Sequence, residues 1–290
     1  MPNGYRRVGE YAARLKAEID VWARVLGPHG GIGHLHFGGG SPNVLQADDF
    51  AALVQALRDC IGIRPGAEIA VELDPRTMHV GQVEAFAAAG VTRASPDVQT
   101  LAPVVQTAVN RIQPPDMVAG LVASLKSAGV AAINMDLMYG LPHQTTDDVV
   151  AAAQFAAEQG AARISVFGYA HLPWFAKHQK ALDEAALPDL IERLEQAAAA
   201  AGMLCAAGYL PIGLDHYARA DDALAIAFRE GRLRRNFQGY TDDPCETLIG
   251  MGATSISQFR EGFVQNLKDR KAWGEAIAAG RPCRPSAASR

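Results

Sequence analysis

No two cysteines of this chain lie close together in sequence. Cys60, Cys205, Cys245 and Cys283 are the only four in 290 residues, and none makes a C-x-x-C pair. Zinc sites and iron–sulfur clusters usually show themselves through such short spacing, because neighbouring thiolates must reach a common centre. The four thiols are therefore expected to be reduced and mostly buried, in a cytoplasmic protein. Long apolar runs are missing too, so no membrane span is expected. The opening MPNGYRR lacks the apolar core of a signal peptide. Charge of one sign is also lacking: 27 Lys and Arg against 31 Asp and Glu leave a net charge of −4. That balance argues against broad nucleic-acid or anionic-membrane partners. There is no G-x-S-x-G elbow, P-loop or H-E-x-x-H, and hence no familiar nucleophile, triphosphate cradle or zinc helix.

What is present is an alternation of short apolar runs and amphipathic stretches. Strands are expected at 33–37, 68–73, 92–99, 131–138 and 163–169, with helices at 47–60, 80–89, 116–128 and 146–159. Each strand-to-strand step is about thirty residues, the size of a βαβ unit. Gly90, Gly129 and Gly160 each stand between the end of a helix and the next strand, which is a helix-stop signal. Such units build a parallel sheet, doubly wound or curled into a barrel. An Ala-rich helix near 187–201 leads into a region of different texture, with aromatic and Gly-rich turns at 208–217 and 236–241.

Ligands of parallel α/β folds meet the carboxyl ends of the strands. The polar residues there are Gly38, Gly39, Gly40 and Ser41, then Glu72 and Asp74, Asp97 and Gln99, Asp136 and Tyr139, and Tyr169 and His171. Three glycines directly after a strand let the backbone take positive φ and let a ligand lie against the main chain. Buried carboxylates need hydrogen bonds or partners; Glu72 and Asp136 suit a ribose or an amino group, and Arg111 suits a ligand carboxylate. His34 and His36 share a strand face by period two and are expected to be structural. His171 and His216 lie in polar turns and are better candidates. Arg229, Arg232, Arg234 and Arg235 form a basic cluster leading into Asn236 and Gln238. Paired guanidinium groups suit a polycarboxylate or a phosphate, although arginines near a helix end also complement its dipole.

Taken in order, HLHFGGGSP (34–42), VELDPR (71–76), DVQ (97–99), NRIQ (110–113), NMDLMYGLPHQT (134–145), SVFGYAHLP (165–173), IGLDHYA (212–218) and LRRNFQGYT (233–241) resemble the oxygen-independent coproporphyrinogen III oxidases. These are radical-SAM enzymes of heme biosynthesis. The last two segments resemble the oxidases rather than the related heme chaperones. The resemblance implies an α/β fold, a partial (β/α)6 radical-SAM barrel missing its first strand, followed by an α+β extension. It divides the chain at 1–175 (barrel), 176–280 (extension) and 281–290 (disordered tail). It implies S-adenosylmethionine (SAM) as cofactor, with Gly39, Gly40 and Ser41 against its methionine part. Glu72, Gln99, Arg111, Asp136, Ala170 and Ile256 fall on the other SAM-contacting positions. The implied reaction converts two propionates of coproporphyrinogen III to vinyl groups, with loss of CO2, in a cytoplasmic monomer. Arg234, Arg235, Asn236 and Gln238 become candidate walls for the tetracarboxylate substrate.

The chain departs from the family at three places. The family's C-x-x-x-C-x-x-C, which holds a 4Fe–4S cluster, would lie upstream of Met1, so the 290 residues are expected to be an inactive or truncated copy. Losing the first strand with it would leave 34–37 as an exposed edge. The resemblance also stops near Gly280, short of the family's helical C-terminal domain. Within the body, Ser95-Pro96-Asp97 stands where the family has a small glycine before Val-Gln, and Gly168 replaces a polar residue. A cluster-free protein that binds SAM, heme or a porphyrin without catalysis is the alternative.

Overall fold

A computed structural model describes residues 2–282, with side chains from Tyr5; the tail expected at 283–290, and Cys283 with it, lies outside the described residues. In chain order the elements begin with α1 (Pro2–Val25), β1 (Ile32–Phe37), α2 (Ala47–Cys60), β2 (Ile63–Leu73) and α3 (Gln82–Ala89). Next come β3 (Arg93–Gln99), α4 (Pro103–Ala108), α5 (Pro115–Ser127), β4 (Ala132–Tyr139), α6 (Thr146–Glu158) and β5 (Arg163–Gly168). After these follow α7 (Leu190–Ala206), β6 (Tyr209–Ile212), β7 (His216–Arg219), α8 (Ala223–Arg229), β8 (Arg234–Asn236), β9 (Gly239–Thr241), β10 (Ile256–Phe259), β11 (Gly262–Gln265) and α9 (Arg270–Ala278). The described residues divide into two compact units, one made of 2–71, 79–91 and 234–282, the other of 72–78 and 92–233.

In the first unit β1 and β2 pair in parallel, Leu35 beside Ile69 and Phe37 beside Val71. Helix α2 forms because Phe50, Leu53, Val54 and Leu57 repeat at three- and four-residue steps and bury one face, while Asp48 and Asp49 sit in its positive first turn. Phe50 stacks on Phe37 at 4.7 Å and on Phe86 of α3 at 4.8 Å between ring centroids. At the far end of the sequence β8 pairs with β9 and β10 with β11 as antiparallel hairpins. Helix α1 carries Tyr11, Leu15 and Glu18 on one face by the same spacing, and packs on Trp273 and Ile277 of α9. Glu18 is fully buried. Its Oε2 accepts from the Gly252 amide at 2.7 Å and its Oε1 from Asn266 Nδ2 at 2.8 Å, while Tyr11 Oη accepts from the Ala253 amide at 3.0 Å.

In the second unit β3, β4 and β5 run parallel, with β7 antiparallel to β5 and β6 antiparallel to β7. Burial alternates along β4: Ile133, Met135 and Leu137 are buried, while Asn134, Asp136 and Met138 between them are half-buried on the other face. Two of the predicted stop glycines lie here, and they work alike. After α5, Gly129 takes φ +96 and Val130 N–H donates back to Leu125 O at 3.0 Å; after α6, Gly160 takes φ +66 and Ala161 N–H reaches Ala156 O at 3.2 Å. Helix α6 is opened by a capping box in which Thr145 and Asp148 exchange side-chain and backbone bonds.

The amino ends of the same strands are closed by ions. Arg93 and Arg163, the first residues of β3 and β5, both reach Asp222, at 3.1 and 2.7 Å. All three are buried, and Arg93 also donates to Asn134 Oδ1 at 2.8 Å.

Candidate functional site

The carboxyl ends of β3, β4 and β5 bring polar side chains onto one face by strand period. Asp97 of β3 sits opposite Asp136 of β4, and Asp136 opposite Ser165 of β5. Ser95 Oγ donates to Asp136 Oδ2 at 3.3 Å and Gln99 Nε2 to Asp97 Oδ2 at 3.3 Å. Burial, more than any neighbour, pushes the Asp136 carboxyl up to about 6. The Ser165 and Ser95 hydroxyls oppose that rise, and the charges of Asp97 and Glu72 add to it. Burial likewise raises Asp97, against the pull of Arg111.

Arg111 is brought here by a short rigid loop. Gln106, buried in α4, donates from its amide to Thr100 O at 2.9 Å and Gln113 O at 2.7 Å, and accepts from Gln113 N at 2.9 Å. Asn110 turns the chain at φ +54, a conformation that asparagine tolerates better than most residues. The Arg111 Nη2 then lies 3.1 Å from Asp97 Oδ2 and 3.7 Å from Asp74 Oδ1, and donates to Asp97 O at 3.1 Å. Its Nε is a buried donor with no acceptor among the described residues. Asp74 opens a single 3-10 turn, Pro75–Thr77, by accepting from Arg76 N at 3.0 Å. Arg76 also grips it with two side-chain bonds, at 3.0 and 2.7 Å. Burial alone would raise Asp74, but the two arginines hold it below the ordinary carboxylate value.

Of the candidates read from the sequence, then, Gln99, Arg111 and Asp136 come together in the second unit, with Asp97 and Asp74, and Glu72 acts electrostatically on Asp136. Ala170 is exposed in the same unit, and its carbonyl accepts from Gln179 Nε2 at 3.0 Å. Gly39, Gly40 and Ser41 lie in the first unit, exposed or half-buried after β1, and Gly39 needs its hydrogen side chain because φ is +76. The Ser41 hydroxyl makes no cap bond to the 3-10 turn Pro42–Val44 that follows. That turn is fixed by buried Gln82, which donates to Asn43 O and Leu45 O at 2.7 and 2.6 Å. Ile256, also in the first unit, starts β10; Gly250 upstream of it has no room for a side chain, since a Cβ would stand 2.4 Å from Ile256 O.

The histidines and arginines sort themselves. His34 and His36 both face outward from β1. His171 links Tyr169 Oη at 3.2 Å to Glu184 Oε1 at 3.0 Å, and His216 pairs with Asp215 at 2.7 Å. The four-arginine cluster does not act as one group. In the second unit Arg229 donates to Ala220 O and Arg232 pairs with Glu230. In the first, Arg234, Arg235 and Asn236 line a cavity of about 340 Å³ with Gln258 and Arg260, while Gln238 is exposed and its backbone N–H donates to Asn236 Oδ1 at 2.8 Å. The expectation of buried thiols is corrected: Cys60, Cys205 and Cys245 are free and exposed. Cys60 is the last residue of α2, Cys205 the last but one of α7, and Cys245 lies in a loop. The sequence reasoning overlooked the buried Gln106–Gln113 pair and Glu18; a polar residue at a core-facing helix position was the available signal.

These residues fit SAM and do not fit a cluster. Arg111 offers a carboxylate partner through its orphaned Nε, and the acidic row offers acceptors for a cationic ligand. Among the described residues no group of three or more His, Cys, Asp or Glu side chains is placed to hold a metal ion.

A family model of the radical SAM superfamily matches residues 2–156, and the chain belongs to that superfamily. Within it, the chain is 46% identical over 274 residues to the oxygen-independent coproporphyrinogen III oxidase of Bradyrhizobium diazoefficiens, covering 94% of this chain and 61% of that protein. It is 42% identical over 274 residues to the enzyme of the same name from Cereibacter sphaeroides, with the same coverage. The solved coproporphyrinogen III oxidase of Escherichia coli, described as a radical SAM enzyme, superposes with a TM-score of 0.90 at 35% identity, over 95% of this chain and 63% of that one. The α/β fold with mostly parallel strands is therefore the expected one, and it fits a partial radical-SAM barrel. The chain spans about three fifths of the length of the curated relatives it matches.

Proposed function

We propose that these residues form the SAM-holding and substrate-facing part of an oxygen-independent coproporphyrinogen III oxidase, which decarboxylates two propionates of coproporphyrinogen III to vinyl groups. The observation that carries the reading is the row of Gln99, Asp97, Asp136 and Arg111 at the strand ends, in a chain 46% identical to such an oxidase over 274 residues. When bound, SAM supplies the hydrogen-abstracting adenosyl group of the family's chemistry. Arg111 pairs with its carboxylate, and Asp136, Glu72 and Gln99 accept from or donate to its polar groups. The resemblance to the family adds Gly39, Gly40, Ser41, Ala170 and Ile256 as candidate SAM contacts. Arg234, Arg235, Asn236 and Gln238 border the site of the tetracarboxylate substrate. The four cysteines are dispersed in sequence with no C-x-x-x-C-x-x-C, and on this reading the 290-residue chain by itself binds SAM and substrate without turning over. The reading goes with a cytoplasmic monomer.

The test is calorimetry of the purified 290-residue chain with SAM and with coproporphyrin III, beside an attempt at anaerobic cluster loading. Micromolar SAM binding, porphyrin binding weakened at least tenfold by Arg234→Ala with Arg235→Ala, and no broad iron–sulfur absorption are expected. Tight heme or porphyrin binding with no SAM binding would instead establish a cluster-free carrier. That second reading draws on the dispersed, exposed cysteines.

A further inference from the structure

The segment between β5 and α7, in the second unit, is held together from within and yet carries Trp174 and Phe175 into water. Gln179 fastens its base: Oε1 accepts from the Leu172 amide at 2.5 Å, and Nε2 donates to Ala170 O at 3.0 Å. His171 ties Tyr169 to Glu184, and Arg193 of α7 donates to Tyr169 O at 2.7 Å. At the far end Ala186 O accepts from the His143 amide at 2.8 Å. Inside that frame the chain turns at Leu172, whose carbonyl accepts from the Phe175 and Ala176 amides. Trp174 and Phe175 stand on the turn, 76% and 84% exposed, with Leu172 beside them 39% exposed. The other two tryptophans of the chain, Trp22 and Trp273, are buried. Apolar surface in water is unfavourable, and a turn fixed in this way cannot swing its side chains under cover. Adjoining exposed apolar groups of that size mark a place where something docks. Lys177, His178 and Lys180 follow directly, all exposed, in the 3-10 turn Lys177–Ala181. The acids of the segment are engaged further on: Asp183 caps the 3-10 turn Glu184–Ala186, and Glu184 is held by His171.

Position and charge together indicate the occupant. The segment leaves the carboxyl end of β5, the end at which parallel α/β folds take their ligands. Its surface is aromatic at the turn and cationic just after it. A ligand with a flat apolar body and carboxylates at its edge covers the rings and pairs with the ammonium groups at once. We propose that the Trp174–Phe175 turn is a docking surface for the face of the tetrapyrrole substrate, with Lys177 and Lys180 meeting its carboxylates. The proposal rests on the reading that the substrate is coproporphyrinogen III, and adds to it a surface that the resemblance to the family does not supply.

The experiment titrates the full 290-residue chain with coproporphyrin III, followed by porphyrin absorbance. Trp174→Ala with Phe175→Ala is expected to weaken binding about tenfold, the usual cost of truncating an aromatic anchor. Trp174→Phe alone, which keeps a ring on the turn, is expected to retain most of the affinity. Lys177→Ala with Lys180→Ala is expected to weaken binding about threefold and to flatten its dependence on salt, because exposed charge pairs are screened. Phe228→Ala, which removes an exposed aromatic from α8 of the same unit, is expected to leave binding as in the wild type. The substituted side chains are exposed, so folded variants are expected; unchanged melting curves check it. Binding unchanged within about twofold in the Trp174–Phe175 variant overturns the proposal, and leaves the substrate reading standing because the wild type binds. Loss of sedimentation with phosphatidylglycerol vesicles, or of self-association, in that variant while porphyrin binding persists overturns it in favour of a lipid surface or a second copy. A wild-type chain that binds no coproporphyrin overturns the substrate reading itself, and this proposal with it.

Discussion

The two ends of the same three strands are built to opposite rules. At the amino end, Arg93 and Arg163 converge on Asp222, all three buried, and the carboxylate also caps α8 through the Leu224 amide at 2.8 Å. At the carboxyl end, Asp97 and Asp136 face one another with Arg111 as the nearest cation to Asp97. A buried ion set in which two guanidinium groups share one carboxylate resists change, because removing that carboxylate strands both. Two carboxylates facing one another repel, an unfavourable interaction that a bound cation relieves. With the SAM site proposed above, the amino end serves stability and the carboxyl end binding, and substitutions should separate the two.

The largest effect is expected from Asp222→Ala, which leaves two buried guanidinium groups without their shared carboxylate. A loss of about 3–5 kcal/mol in urea denaturation is expected, with any residual SAM affinity of the folded fraction unaltered. A loss under 1 kcal/mol would erase the distinction between the ends.

Asp136→Asn should do the reverse. The Asp136 carboxyl titrates at about 6 in the folded chain against an ordinary 3.8. The folded state therefore holds its proton more tightly than the unfolded chain does, and stability falls as pH rises from 3.8 toward 6. Replacing the acid by its amide should stabilise the chain at pH 7.5 by on the order of 2 kcal/mol. The gain should vanish below pH 3.8, while SAM binding weakens at least tenfold. A variant less stable at pH 7.5 would contradict the burial argument.

Arg76→Ala should cost about 1 kcal/mol at neutral pH by removing the hydrogen bonds to Asp74. Asp74 titrates below 3.8, so its contribution is present above that value and fades as pH falls through its lowered pKa. The difference between wild type and variant should disappear in strong acid. A carboxyl-carbon NMR titration that leaves Asp74 in place after the substitution would show that Arg111 alone holds it down. The smallest effect is expected from Asp221→Asn, one residue from Asp222 but exposed: no measurable change in melting temperature.

Sequence patterning carried much of this. The bounds of α2 are those expected, because its apolar face repeats at helical steps between an acidic start and Arg58 near its end. β2 was half-legible. Residues 68–73 alternate, but the strand begins at Ile63, since Pro65 and Gly66 read as a turn and the register break near Gly33 that accommodates them leaves no sequence mark. α3 starts two residues late because Gly81 sits at φ +81, and α7 starts at Leu190 because Asp189 caps it with Glu192. α1 and α9 were not foreseen, as each hides its apolar face by packing on the other. At the site, Asp97, Asp136 and Arg111 were nameable from their places at strand ends, yet not their mutual distances. Those depend on Asn110 and Gln99 adopting positive φ, which no local composition requires. The exposure of the cysteines was illegible for the same reason: a thiol does not announce which side of a helix or loop will face water.

The clamp on Gly252 has a consequence for how the protein is made. Glu18 waits for an amide 234 residues further along the chain and for Asn266, 248 residues away. At roughly 5–20 residues per second, a ribosome takes on the order of 12–47 seconds to deliver the first of these. Once it has cleared the tunnel, α1 spends the rest of that interval with an ionisable group and an apolar stripe both lacking their native cover. The nascent chain thus has a long window in which α1 is open to chaperones, proteases and other chains, and the window closes only when the hairpin and α9 arrive.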